Sequence, residues 1–174
     1  MGVPLYMIEP GIAPLVLISV HEGRHIPQRL HDEHGHPLGI SDQADLDRHI
    51  AVDLGAGEMT KLLAKATKAS VFRVTHSRLV VDLNRDSDEL ECIAPVADGT
   101  AIPLNKALTE QERVARLREF YFPVLKRLDQ FMDDVAKELG SEPFVISMHS
   151  YARRQKENPE PKSEDVCVYG YPEF

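Results

Sequence analysis

The chain has 174 residues, 43% hydrophobic side chains and a formal net charge of −8, enough for one folded unit with a buried core. That charge disfavours nucleic acid as a partner. No apolar run approaches the roughly 20 residues of a membrane span, and residues 1–14 lack the basic-then-apolar order of a secretory signal. The two cysteines, Cys92 and Cys167, stand outside any CxxC spacing, so reduced thiols and a cytoplasmic location are expected.

Residues 15–20 form a continuous apolar run after Pro14, as a buried strand does, and the run stops at His21. The segment from Glu22 to Gly39 is a long loop rich in Gly, Pro, His and Asp, a length that marks it as functional or mobile. Its histidines, His25, His31, His34 and His36, match no compact metal spacing. Ser41 suits the N-cap of a helix over 42–69 with Ile50, Leu54, Leu62, Leu63 and Ala66 on its apolar face. Gly55 and Gly57 weaken its middle and mark either a close backbone approach or a break between two helices. Residues 71–74 and 79–83 have the pattern of strands, the second ending at Asn84-Arg85. Residues 91–108 predict a loop with turn chemistry at Asp98-Gly99.

Thr109-x-x-Glu112 is a capping box opening a long helix. Pro123 predicts a kink near Phe122. The apolar stripe resumes with Leu125, Leu128, Met132, Val135 and Leu139, and Gly140 suits the position just past the helix end. Residues 144–148 predict the next buried strand, ending at His149. Residues 152–165 predict an exposed charged loop in which Arg153, Arg154 and Lys156 are solvated, and 166–169 begin another strand. Strands alternating with helices predict an α/β sheet with largely parallel strands, carried by one domain over residues 1–174.

Ligands in open α/β sheets bind where strands end. A catalytic zinc needs three protein ligands and one open position, and His21 and His149 share a strand-end setting. For a carboxylate, Glu22 points away from His21 if the strand continues. Asp53 shares a helix face with His49 four residues earlier, and Asp47 is a further candidate. His49 could itself be a ligand or orient one. Asn84 and Arg85 offer an amide and a planar fork of donors matched to a carboxylate, and Arg78 is a second anion contact. The simpler readings are a strand-capping histidine, a solvent-facing His49–Asp53 pair, and a surface ion pair of Arg85 with Asp82, Asp86 or Asp88.

Together these segments resemble the N-formylglutamate amidohydrolase family, from about Leu15 to Tyr169. The resemblance is carried by Ser19-Val20-His21-Glu22-Gly23-Arg24-His25-Ile26-Pro27, by His49-Ile50-Ala51-Val52-Asp53-Leu54-Gly55-Ala56, and by Ser77-Arg78-Leu79-Val80-Val81-Asp82-Leu83-Asn84-Arg85. It continues in Ala97 to Asn105, where Ala97 replaces a family Ser, and in Ser147-Met148-His149-Ser150. The family is similar to zinc carboxypeptidases. The resemblance implies a three-layer α/β/α fold with a mostly parallel mixed sheet, zinc-exopeptidase-like.

It also implies one Zn2+ ion held by His21 and His149. Arg24 stands where the peptidases place a glutamate ligand, which leaves Asp53 as the third ligand and His49 as its alternative. Asn84 and Arg85, with Arg78, would hold the carboxylate of a small anionic N-acyl amino acid. The implied reaction is hydrolysis of the amide bond of a compound such as N-formyl-L-glutamate, giving formate and glutamate. Family members continue through a glutamate-bearing strand that would supply the general base, so a C-terminally truncated domain is expected, its catalytic base beyond Phe174. The alternative is an inactive carboxylate-binding or interaction module. Nucleic acid and membrane are not expected as partners, and a homo-oligomer through an exposed edge strand at 166–169 is a third reading.

Overall fold

The structure is a computed structural model that describes residues 2–152, 155 and 156. Most of the expected loop at 152–165, and all of the expected strand at 166–169, lie outside the described residues. The chain runs β1 (Tyr6–Glu9), β2 (Leu15–Ser19), α1 (Gln43–Leu46), α2 (Ala56–Thr67), β3 (Ser70–Val74), β4 (Val96–Ala97), β5 (Thr100–Ala101), α3 (Pro103–Lys106), α4 (Glu110–Arg116), α5 (Phe122–Leu139) and β6 (Phe144–Ser147).

The main sheet has the order β1-β3-β2-β6. Strand β2 pairs parallel with β3 and with β6, and β1 pairs antiparallel with β3 at the other edge. The alternation of side chains along β2 divides the core. Val16 and Val20 meet Phe72 and Val74 of β3 and, from α5, Val124, Phe131 and Val135. Leu17 meets Val71, Ala69, Met148 and the α2 residues Leu63 and Ala64 on the opposite face. The result is the expected three-layer α/β/α arrangement. The crossover from β2 to β3 runs through α2, and the return from β3 to β6 runs through α4 and α5. The carboxyl ends of β2 and β6 are therefore neighbours although the two strands lie far apart in sequence.

Several local expectations are corrected. The helix expected over 42–69 is two helices, α1 and α2, separated by an irregular stretch at 47–55. Asp42, not Ser41, caps α1, its carboxylate accepting from the Ala44 N–H at 2.9 Å. Gly55 enters α2 with φ +81°, a left-handed value that any residue with a Cβ adopts at a cost. His49 and Asp53 consequently share no helix face. The strand expected over 79–83 is a buried turn. Its residues Leu79, Val80 and Val81 are apolar because they are enclosed by Cys92, Ile93, Leu117, Phe120 and Ile102, not because they pair in a sheet. The polar backbone of this turn is satisfied by Asn105, whose amide donates to Leu79 O and Ala94 O at 2.9 Å each.

The segment 144–148 is a strand, but among the described residues it lies at the edge of the sheet, with Phe144 79% exposed and only Met148 buried. Within the loop at 91–108, Asp98 and Gly99 turn a small β4–β5 hairpin and α3 follows. The capping box at Thr109 forms as expected. The kink expected near Phe122 takes the form of a π-helical turn over Leu117–Tyr121, which absorbs one residue before Pro123.

Candidate metal and substrate site

His21 follows β2, His149 follows β6, and Asp53 sits in the irregular stretch before α2. The Asp53 N–H donates to His21 O at 2.8 Å, so the broken helix is what lays this carboxylate against the end of β2. One ligand atom from each of His21, Asp53 and His149 lies within 4.8 Å of the other two. His149 Nδ1 is 2.9 Å from Asp53 Oδ2, and His21 Nδ1 is 3.7 Å from the same oxygen. The two imidazole rings meet edge to face, centroids 5.0 Å apart. The Ser150 N–H also donates to Asp53 Oδ2, at 3.2 Å.

Asp82 explains the orientation of His21. Its Oδ1 is 2.7 Å from His21 Nε2. A carboxylate accepts, so Nε2 carries the hydrogen and Nδ1 presents a lone pair toward Asp53 and His149. His21 is 1% exposed, and this Nδ1 is buried without a hydrogen-bond partner among the described residues. A buried lone pair beside a carboxylate and a second imidazole is a donor set that fits a divalent metal ion.

The electrostatics hold the acids of the cluster ionised but pull the other way at His21, where a metal ion would have to displace a proton. Burial alone would raise Asp53, yet the His149 hydrogen bond, the adjacent His21 ring and the Arg78 guanidinium hold it well below the ordinary carboxylate range. Asp82 is likewise buried and held low by His21 and Arg78. Burial opposes charge on the His21 ring, but the two carboxylates outweigh it and raise its pKa above the ordinary value. Both carboxylates are thus ionised at neutral pH, as metal ligation and ligand orientation require.

Arg78 donates from Nε and Nη2 to Asp82 Oδ2 at 3.0 and 2.6 Å, and from Nη1 to Asp53 Oδ1 at 3.3 Å. It therefore ties the carboxylate of Asp53 to the one that orients His21, while remaining half-buried. Asp82 Oδ1 also accepts the Asn84 N–H at 2.9 Å, fixing the turn that presents Asn84 and Arg85. The Arg85 carbonyl accepts from the Tyr121 hydroxyl at 2.9 Å, and its side chain is 49% exposed, 3.7 Å from Glu89. One carboxylate thus links His21 and the turn that carries Asn84 and Arg85.

The remaining candidates lie elsewhere. His49 faces Asp98 at 3.5 Å, outside the cluster, and burial lowers its pKa. Asp47 pairs with Arg24 at 2.7 Å. Glu22 turns toward Arg73 at 3.2 Å. Lys156, expected as solvated charge, donates from Nζ to Asp45 at 3.1 Å. In the histidine-rich loop, His31 and His36 make local hydrogen bonds to Gly35 O and Asp32. The sequence signal for Asp82 was its place in Asp82-Leu83-Asn84-Arg85, but its service to His21, 61 residues away, is visible only in the fold.

Fold and site together define an α/β protein whose strand ends gather a metal-ligating donor set. Residues 13–171 match the N-formylglutamate amidohydrolase family, and the chain belongs to it. The crystal structure of a gene product from Agrobacterium tumefaciens is similar to this chain, with a TM-score of 0.76 and 27% identity, covering 84% of this chain and 56% of that one. This chain therefore spans little more than half the length of that relative. No curated protein matches it.

Proposed function

We propose that this chain carries a metal-dependent amidohydrolase site that cleaves an N-acyl amino acid such as N-formyl-L-glutamate into formate and glutamate, within a single domain. The observation that carries this reading is the buried, unpartnered Nδ1 of His21 grouped with Asp53 and His149. His21, Asp53 and His149 would hold one Zn2+ ion, which when bound supplies a Lewis acid and lowers the pKa of a water.

The chain's own residues supply the rest. Asp82 keeps the His21 tautomer and Arg78 keeps both carboxylates in register. Asn84 and Arg85 receive the substrate carboxylate in the exposed turn beyond Asp82, with Arg78 adding positive potential behind it. Anchoring the substrate at that carboxylate converts binding energy into position of the scissile amide. No water-activating carboxylate is assigned among the described residues. Measuring formate release from N-formyl-L-glutamate by the zinc-loaded chain, with His149→Ala as control, tests the reading. Turnover that survives His149→Ala would overturn it, whereas substrate binding lost in Arg85→Ala with no turnover at any metal concentration would favour a carboxylate-binding module.

The absence of any span-length apolar helix among the described residues, the acidic charge and the thiol content are consistent with a cytoplasmic location.

A further inference from the structure

Three carbonyls of the segment 85–89, which continues the turn carrying Asn84 and Arg85, are held by one face of the neighbouring helix. The Tyr121 hydroxyl donates to Arg85 O at 2.9 Å. Arg113 Nη2 donates to Ser87 O at 2.8 Å and to Glu89 O at 2.6 Å. The accepting residues alternate along the chain, while the two donors stand eight residues apart, across the π-helical turn at Leu117–Tyr121. In an uninterrupted α-helix, eight residues overshoot the starting face by about 80°, whereas seven fall only about 20° short of it. The π-helical turn takes up one residue, so Tyr121 stands where the seventh would and returns to the face of Arg113. Leu117 and Phe120, from the same turn, share a buried cluster with Val80, Val81 and Ile93.

Two links hold the Arg85 main chain. Its N–H donates to Asp82 O at 3.3 Å, and its carbonyl accepts from Tyr121. Asp82 is in turn fixed at its N–H by Cys92 O, at 2.8 Å, and at its carboxylate by the His21 ring, at 2.7 Å. Hydrogen bonds therefore run without a gap from Tyr121 through Arg85 and Asp82 to His21. The Tyr121 side chain is enclosed, 7% exposed. The Arg85 side chain, by contrast, is half exposed and lies 3.7 Å from Glu89 Oε2, a pair too solvated to fix it. Where the guanidinium can reach is thus set by where the Arg85 backbone sits, and Tyr121 and Asp82 set that. A donor whose backbone is held in advance loses less freedom on binding an anion than one on a mobile turn.

We propose that Tyr121 is a positioning residue for the substrate-carboxylate clamp: its hydroxyl, brought into line with Arg113 by the π-helical turn, holds the Arg85 main chain so that the guanidinium meets the anion from a fixed base. The inference rests on the reading of Asn84 and Arg85 as that clamp. Tyr121 acts through Arg85 rather than on the substrate.

Calorimetric titration of the full chain with N-acetyl-L-glutamate separates this role from a merely structural one. Tyr121→Phe removes one oxygen and keeps the packed ring, and it should weaken binding about fivefold, the scale of one hydrogen bond. Arg85→Gln should weaken binding by at least as much. Added to Arg85→Gln, Tyr121→Phe should weaken binding no further, because the group it places is gone; a substitution that only loosens the fold would lose the same factor in both backgrounds. If Arg85→Gln is weakened but Tyr121→Phe binds as wild type does, or loses the same factor with and without Arg85, the proposal is overturned and the clamp stands. If wild type shows no binding, or Arg85→Gln binds as tightly as wild type, the clamp reading fails and the proposal falls with it.

Discussion

Asp82 is the residue on which the site turns. It accepts from the His21 ring, from Arg78 and from the Asn84 N–H, so its charge supports both halves of the site. Asp82→Asn keeps the shape but removes the charge that fixes the histidine tautomer, and zinc affinity should fall about 10- to 100-fold. A competitive zinc titration checks this, and unchanged affinity would show that His21 is oriented by other means. His76 makes a separate prediction about acid stability. It is buried beside Phe120, and burial lowers its pKa from 6.5 to about 4. With the native value depressed, the unfolded chain takes up the proton first. Stability is therefore full above pH 6.5 and is lost as pH falls toward about 4, by about 2 kcal/mol at pH 5. Urea midpoints at pH 7 and pH 5 should converge in His76→Gln by about that amount relative to wild type. The site histidines and the Asn84-Arg85 pair were legible in the sequence because each ends an apolar run. The roles of Asp82 and Arg78 were not, because hydrogen bonds to Asp53 and His21 span the fold.

At the scale of elements, the sequence located β2, β3, α4, α5 and β6, missed β1 and α3, and misjudged where turns replace helix and strand. Residues 79–83 show a strand's apolar pattern, yet burial on all sides produces the same pattern in a turn whose backbone is satisfied by Asn105. The helix expected across 42–69 breaks because Gly55 takes a left-handed conformation, which delivers Asp53 to His21. The loop from β2 is placed by a close approach: a Cβ on Gly23 would lie 2.3 Å from the Thr75 carbonyl carbon. Gly23→Ala should therefore destabilise the fold by about 2 kcal/mol, the scale of core overpacking. It should also displace His21 and Arg24 together, read as a lowered urea midpoint with weakened zinc binding. A neutral substitution would mean the loop shifts freely.

For the whole molecule, metal and fold should be linked. The candidate ligands come from three separate segments that converge in the folded chain, so a zinc ion held there would bind the folded chain preferentially. Free zinc at about 100 times its Kd should stabilise wild type by about 2.7 kcal/mol, and His149→Ala should show no such gain in thermal scans. The sequence by itself determined the α/β class, the family, the strand-end histidines and the donor-bearing turn, because these are local patterns of burial and polarity. The tertiary structure decided that Asp53, the expected third residue, and not its alternative His49 stands beside them, and that Asp82 and Arg78 bind the halves of the site together. Those pairings depend on the β3-β2-β6 strand order and on a broken helix, and no local pattern encodes which distant residues two parallel crossovers bring to one sheet edge.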